Sequence, residues 1–139
     1  MFVFKVNDTE YKVRFGYGVL CKTDLIDRMV EVYDSETKSG AHQIREMISL
    51  TAELLLAGFQ KYHKEEFGYI TESEKDSALD KVFSLIDDYE DEHTDDPEDE
   101  DKRDALQLFV GLQKELQKNG FLSRIRKEAE QNKQTGESQ

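Results

Sequence analysis

The sequence predicts an α+β protein that is mainly α: an N-terminal β-hairpin packed on a helical core with one long central helix, then an acidic flexible linker and C-terminal amphipathic helices. Three observations carry that prediction. Phe2 to Phe15 alternates polar and apolar side chains around Asn7-Asp8, the period of a half-buried strand pair. Ala41 to Lys64 repeats its apolar residues every three or four positions, the period of a helix. Asp87 to Asp104 then breaks the apolar pattern with twelve Asp and Glu against Lys102 and Arg103, so this stretch holds −10 of the net charge of −12.

In the hairpin, Phe2, Phe4 and Val6 share one face, and Tyr11, Val13 and Phe15 share one face of the second strand. A one-residue slip would turn every one of them to water, so the pattern fixes the register. Two strands alone are marginal, and the long helix is the expected cover. Gly16-Tyr17-Gly18 ends the strand in a turn or bulge leading to Val19-Leu20-Cys21. A phosphate loop is excluded there, because no third Gly follows at the fingerprint spacing. Cys21 beside Leu20 is expected to be a small buried apolar residue rather than a nucleophile. Thr23-Asp24 is a cap signal, and Leu25, Ile26, Met29, Val30 and Tyr33 continue at helical spacing, although RMVEVY also has strand-forming residues.

The polar run Asp34 to Gly40 is a loop, and the long helix follows. Its apolar face, Ile44, Met47, Ile48, Thr51, Leu54, Leu55, Phe59 and Tyr62, is broadened by Ala52, Leu56 and Ala57, which predicts cover on more than one side. About 24 helical residues span roughly 36 Å, so shorter elements must pack along this axis. Arg45, Glu46, Glu53, Lys61 and Lys64 break any apolar run of membrane-spanning length. Glu65 to Ile70 reads as a turn anchored by Phe67 and Tyr69.

Thr71-Glu72-Ser73-Glu74 matches a capping box, and the helix it starts presents Leu79, Val82, Phe83, Leu85, Ile86 and Tyr89. Acidic residues oppose the dipole at a helix C-terminus, so fraying is expected past Tyr89. DDYEDEHTDDPEDED has no aliphatic residue and is expected to be a solvated, mobile linker. Beyond it Leu106, Phe109, Val110, Leu112 and Leu116 form an amphipathic helix ended by Asn119-Gly120, and Phe121, Leu122 and Ile125 begin one more. At 139 residues and 16.2 kDa this is one domain overall. Its expected parts are a hairpin and helical core over 1–90, linker over 91–101, helical arm over 102–127 and polar tail over 128–139.

The composition excludes several classes of function. Outside the acidic stretch the chain has 19 acidic and 17 basic residues, and its one basic cluster, Arg124, Arg126 and Lys127, is followed by Glu128 and Glu130. Nucleic acid is therefore not an expected partner. One Cys allows no disulfide framework, and the first residues lack a signal-peptide pattern. His42 falls in the loop before the long helix, His63 near its end and His93 in the acidic run, with no metal-ligand spacing, nucleophile elbow or calcium-loop register. The expectation is a protein without cofactor or metal, not an enzyme. The apolar arm has two readings. It packs back on the long helix, or it presents Leu106, Phe109, Leu112 and Leu116 to a partner. Any uncovered part of the 44–62 face is a second candidate surface.

The segments FKVNDTEYKVRFGYGVLCKTDLIDR, ELLLAGFQKYHKEEFG, LIDDYEDE and LFVGLQKELQKNGFLS, in that order, resemble the tail assembly chaperones of siphophages that infect Gram-positive bacteria. The resemblance covers about Phe2 to Ser123. It implies a mainly helical, non-enzymatic protein of the host bacterial cytoplasm that binds the hydrophobic tape-measure protein, keeps it soluble, recruits tail tube protein and is absent from the mature virion. Such proteins often have a second, longer form made by ribosomal slippage, for which QNKQTGESQ would be the short form's end. The family supplies no catalytic residues. Two other readings stand beside it: an acidic mimic of nucleic acid that inhibits a basic protein, and a self-associating structural subunit whose hairpin edge extends a sheet.

Overall fold

The computed structural model describes residues 2–34, 40–94 and 105–118. The hairpin is β1 (Phe2–Val6) and β2 (Thr9–Val13), antiparallel, with Phe2 opposite Val13, Phe4 opposite Tyr11 and Val6 opposite Thr9. Asn7 and Asp8 both take positive φ, 52° and 60°. This is the two-residue turn whose twist matches the strands, and Asn and Asp tolerate it better than other side chains. Phe4, Val6, Tyr11, Val13 and Phe15 are buried and Phe2 partly so, as the alternation predicts.

Six helices follow: α1 (Tyr17–Lys22), α2 (Leu25–Asp34), α3 (Gly40–Phe59), α4 (Lys64–Phe67), α5 (Glu72–Thr94) and α6 (Ala105–Lys118). The fold is therefore mainly helical with a two-stranded hairpin packed on α3. Helix α3 is the axis. Leu50, Thr51, Ala52, Leu54, Leu55, Leu56, Gly58 and Phe59 are all buried, because the hairpin, α2, α5 and α6 each pack on it. Phe4, Tyr11, Phe59, Phe67 and Tyr89 form one aromatic cluster with ring centroids 4.8–6.5 Å apart, joining the hairpin to α3, α4 and α5.

Several expectations are corrected. The long helix stops at Phe59, not Lys64. Arg14 of the hairpin donates its N–H to Gly58 O at 3.0 Å, while Phe59 O keeps a helix-type bond from His63 N–H at 2.8 Å. The Gln60 side-chain amide donates to Leu56 O at 3.1 Å and to Phe67 O at 2.9 Å. The turn expected over 65–70 begins as α4 and buries only Phe67, leaving Tyr69 exposed. Gly16-Tyr17-Gly18 leads directly into α1, a short helix that turns Val19 into the core and Cys21 to solvent, so Cys21 is not a core residue. His42 belongs to the first turn of α3 rather than a loop.

Helix α5 starts where the capping box predicts: Glu74 N–H donates to Thr71 Oγ at 3.1 Å, and the Thr71 hydroxyl to Glu74 Oε1 at 3.2 Å. It does not fray at Tyr89 but continues through Thr94, so residues 91–94 are helix rather than linker. Phe83 is exposed on it, while Ala78, Val82, Ile86 and Tyr89 are buried. Expectations for 95–104, for the Asn119-Gly120 cap, for a further helix over 121–127 and for the tail over 128–139 lie outside the described residues.

Candidate partner-binding site

Helix α6 is packed. Its apolar side chains occur at steps of three and four, and the stripe faces α3. Of the four residues offered to a partner, Phe109, Leu112 and Leu116 are 0% exposed and Leu106 is half-buried. Leu108 and Ala105, which the sequence reading passed over, are buried with them. Burial of side chains this size stabilises by about 1.5–3 kcal/mol each, which is the physical reason the arm closes on the core. In this arrangement Phe109, Leu112 and Leu116 are core residues and not an exposed surface, with Leu106 half-buried at their edge. Gly111 lets α6 approach the hairpin: a Cβ there would sit 2.8 Å from the Phe2 ring.

The acidic run also acts structurally. The Asn7 backbone N–H donates to Glu92 Oε1 at 2.6 Å and the Asn7 side-chain amide to Asp88 Oδ2 at 2.8 Å. The Ala105 N–H, at the start of α6, donates to Glu90 Oε1 at 2.9 Å. Three carboxylates of α5 thus hold the tip of the hairpin and the first amide of α6, one of the donors that a helix cannot satisfy within itself.

Among the described residues, the first half of α3 is only partly covered. Ile44 is 48% exposed, with Met47 and Ile48 partly buried beside it. Tyr62, at the far end of the predicted face, is also exposed, with Lys12 and Lys61 each 5.7 Å from its ring centre. The second half of α3 is core, so the 44–62 face divides into a buried middle and two less covered ends, at Ile44 and at Tyr62. Across it, Arg28 of α2 donates to the Glu53 carboxylate at 2.6 Å and stands 4.0 Å from Glu46.

A second surface is a cleft of about 640 Å³ between the start of α1, the end of α3 and the start of α5. Arg14, Lys22, Lys61 and Lys75 line it, with Val19 and Ala57 on its apolar side, and among the described residues its lining contains no acidic side chain. Two smaller clefts, about 430 and 310 Å³, lie along β1 and beside α4.

His63 is a structural residue: its Nε2 accepts the Lys12 N–H at 2.8 Å, and its ring stands 5.3 Å from Tyr11 and 5.7 Å from Phe59. Burial pushes the Tyr11 hydroxyl up from its ordinary 10.0, and the charge of Glu66 adds to the shift. Among the described residues no group of three His, Cys, Asp or Glu is placed to hold a metal ion, and no helix is long and apolar enough to cross a membrane. No protein-family model matches the chain, and no curated protein or solved structure matches it.

Proposed function

We propose that this chain is a non-enzymatic tail assembly chaperone of a siphophage, which binds the hydrophobic tape-measure protein in the host bacterial cytoplasm, keeps it soluble and recruits tail tube protein to it before leaving the assembled particle. The observation that carries the reading is the ordered likeness of four segments between Phe2 and Ser123 to that family. Physical support comes from α3. Its N-terminal half exposes Ile44 beside the partly buried Met47 and Ile48, an apolar patch of the kind a helical client packs on, while the net charge of −12 keeps such a surface from aggregating. The client contact is therefore assigned to the start of α3 and not to α6.

The acidic-mimic alternative loses three carboxylates of α5, since Asp88, Glu90 and Glu92 are engaged inside the chain. The test is co-expression with the tape-measure protein. Wild type should keep the client soluble and co-purify with it, and Ile44→Lys should lose most of that yield. Val3→Lys, at an exposed position on the hairpin, should not.

A further inference from the structure

The acidity of this chain has an opposite pole that its net charge conceals. Arg14 follows β2, Lys22 ends α1, Lys61 lies in the turn after α3 and Lys75 is in the first turns of α5, yet all four line one cleft whose lining, among the described residues, holds no carboxylate. None of the four forms an ion pair among the described residues. The only charge contacts they make are with rings, Lys75 being 5.9 Å from the centre of Tyr69 and Lys61 5.7 Å from that of Tyr62. Four unpaired cations gathered over an apolar floor repel one another, and an acidic occupant relieves that repulsion.

The chain carries such an occupant. Asp76, Asp80, Asp87 and Asp91 are all exposed on α5, and their spacing of four, seven and four places them on one stripe of the helix. Among the described residues none of them forms an ion pair. The end of the stripe coincides with the negative pole of the helix. Its C-terminal half cannot enter its own cleft, because Asp87 and Asp91 lie about 18 and 24 Å along the same rigid helix from Lys75.

We propose that the cleft of one copy receives the aspartate stripe of α5 from a second copy, giving head-to-tail self-association driven by charge. The contact is heterologous, so it propagates into a ring or an open chain rather than closing as a twofold dimer. It leaves the first half of α3 free and does not rest on the proposed chaperone activity.

Sedimentation velocity on the intact chain tests this, with two variants at surface positions: Lys61→Gln with Lys75→Gln in the cleft, and Asp87→Asn with Asp91→Asn on the stripe. At low ionic strength the wild-type mass should rise with concentration, and it should fall to that of one chain in about 0.5 M salt, where exposed charges are screened. Each variant alone should associate at least about tenfold more weakly. An equimolar mixture should form dimers and stop there, since one variant keeps the stripe and the other the cleft. Arg14→Gln with Lys22→Gln is the substitute should the first cleft variant fold poorly by circular dichroism. The proposal is overturned by a wild type that stays monomeric at low salt, by a folded cleft variant that associates like wild type, or by a mixture that stays monomeric. It is equally overturned if polyglutamate binds the cleft of a wild-type chain that does not self-associate, which would give the site to a foreign acidic segment.

Discussion

The backbone N–H of Asn7 and the carboxylate of Glu92 meet at 2.6 Å across 85 positions of sequence, so the hairpin tip is held by the end of α5. Asp88 takes the Asn7 side-chain amide in the same contact. Glu92→Gln and Asp88→Asn should each lower stability by about 0.5–1.5 kcal/mol, read from the urea midpoint. Asn7→Ala should cost more than either, since it also puts a poorer residue at a φ of 52°. Unchanged midpoints would show that the acidic run is only solvated.

A Cβ at Gly58 would overlap the Val13 side chain; β2 lies against the backbone of α3 there. Gly58→Ala should therefore destabilise by about 1–3 kcal/mol through overpacking, although Ala is the better helix former. A stabilised Gly58→Ala variant in thermal unfolding would contradict the close approach.

Tyr11 gives the pH dependence. Its hydroxyl is raised above 10.0 in the folded chain, first by burial and then by Glu66, so the folded state keeps a proton that the unfolded chain releases. The contribution is present in full below the unfolded value and is lost as pH climbs through 10 toward the folded value. Wild type should therefore lose stability on that limb, and Tyr11→Phe should show a shallower loss. Parallel curves for the two proteins would refute the assignment.

Leu112 decides whether α6 belongs to the core. It is 0% exposed, and Leu112→Ala should cost about 2–5 kcal/mol in a single cooperative transition. A free arm would give no change in midpoint.

The hairpin was legible because alternation and an Asn-Asp turn are local signals: Phe4 against Tyr11 and Val6 against Thr9 follow from the pattern alone. The Thr71–Glu74 cap was legible for the same reason. The end of α3 was not, since apolar spacing runs on to Tyr62 while the Arg14 N–H and the Gln60 side-chain amide take carbonyls of its last turn. Composition described Asp88, Glu90 and Glu92 as a solvated run, but their partners Asn7 and Ala105 are found only in three dimensions. Cys21 was misplaced because a six-residue helix is too short for its phase to be read from spacing. The basic cleft was invisible because its cations are drawn from positions between 14 and 75. The start of α3 as a candidate surface was half legible: the sequence marked the 44–62 face, and the packing of its neighbours decided which half stays open.

The measurement closest to the central claim is the soluble yield of the tape-measure protein co-expressed with this chain, followed by co-purification at low salt and at about 0.5 M, where exposed charge pairs are screened. Apolar contact at the start of α3 predicts rescue and co-purification that persist in high salt, and loss of both with Ile44→Lys while the variant's own urea midpoint stays within about 0.5 kcal/mol of wild type. A client that stays insoluble beside well-folded wild type, or a rescue indifferent to Ile44→Lys, would contradict the account.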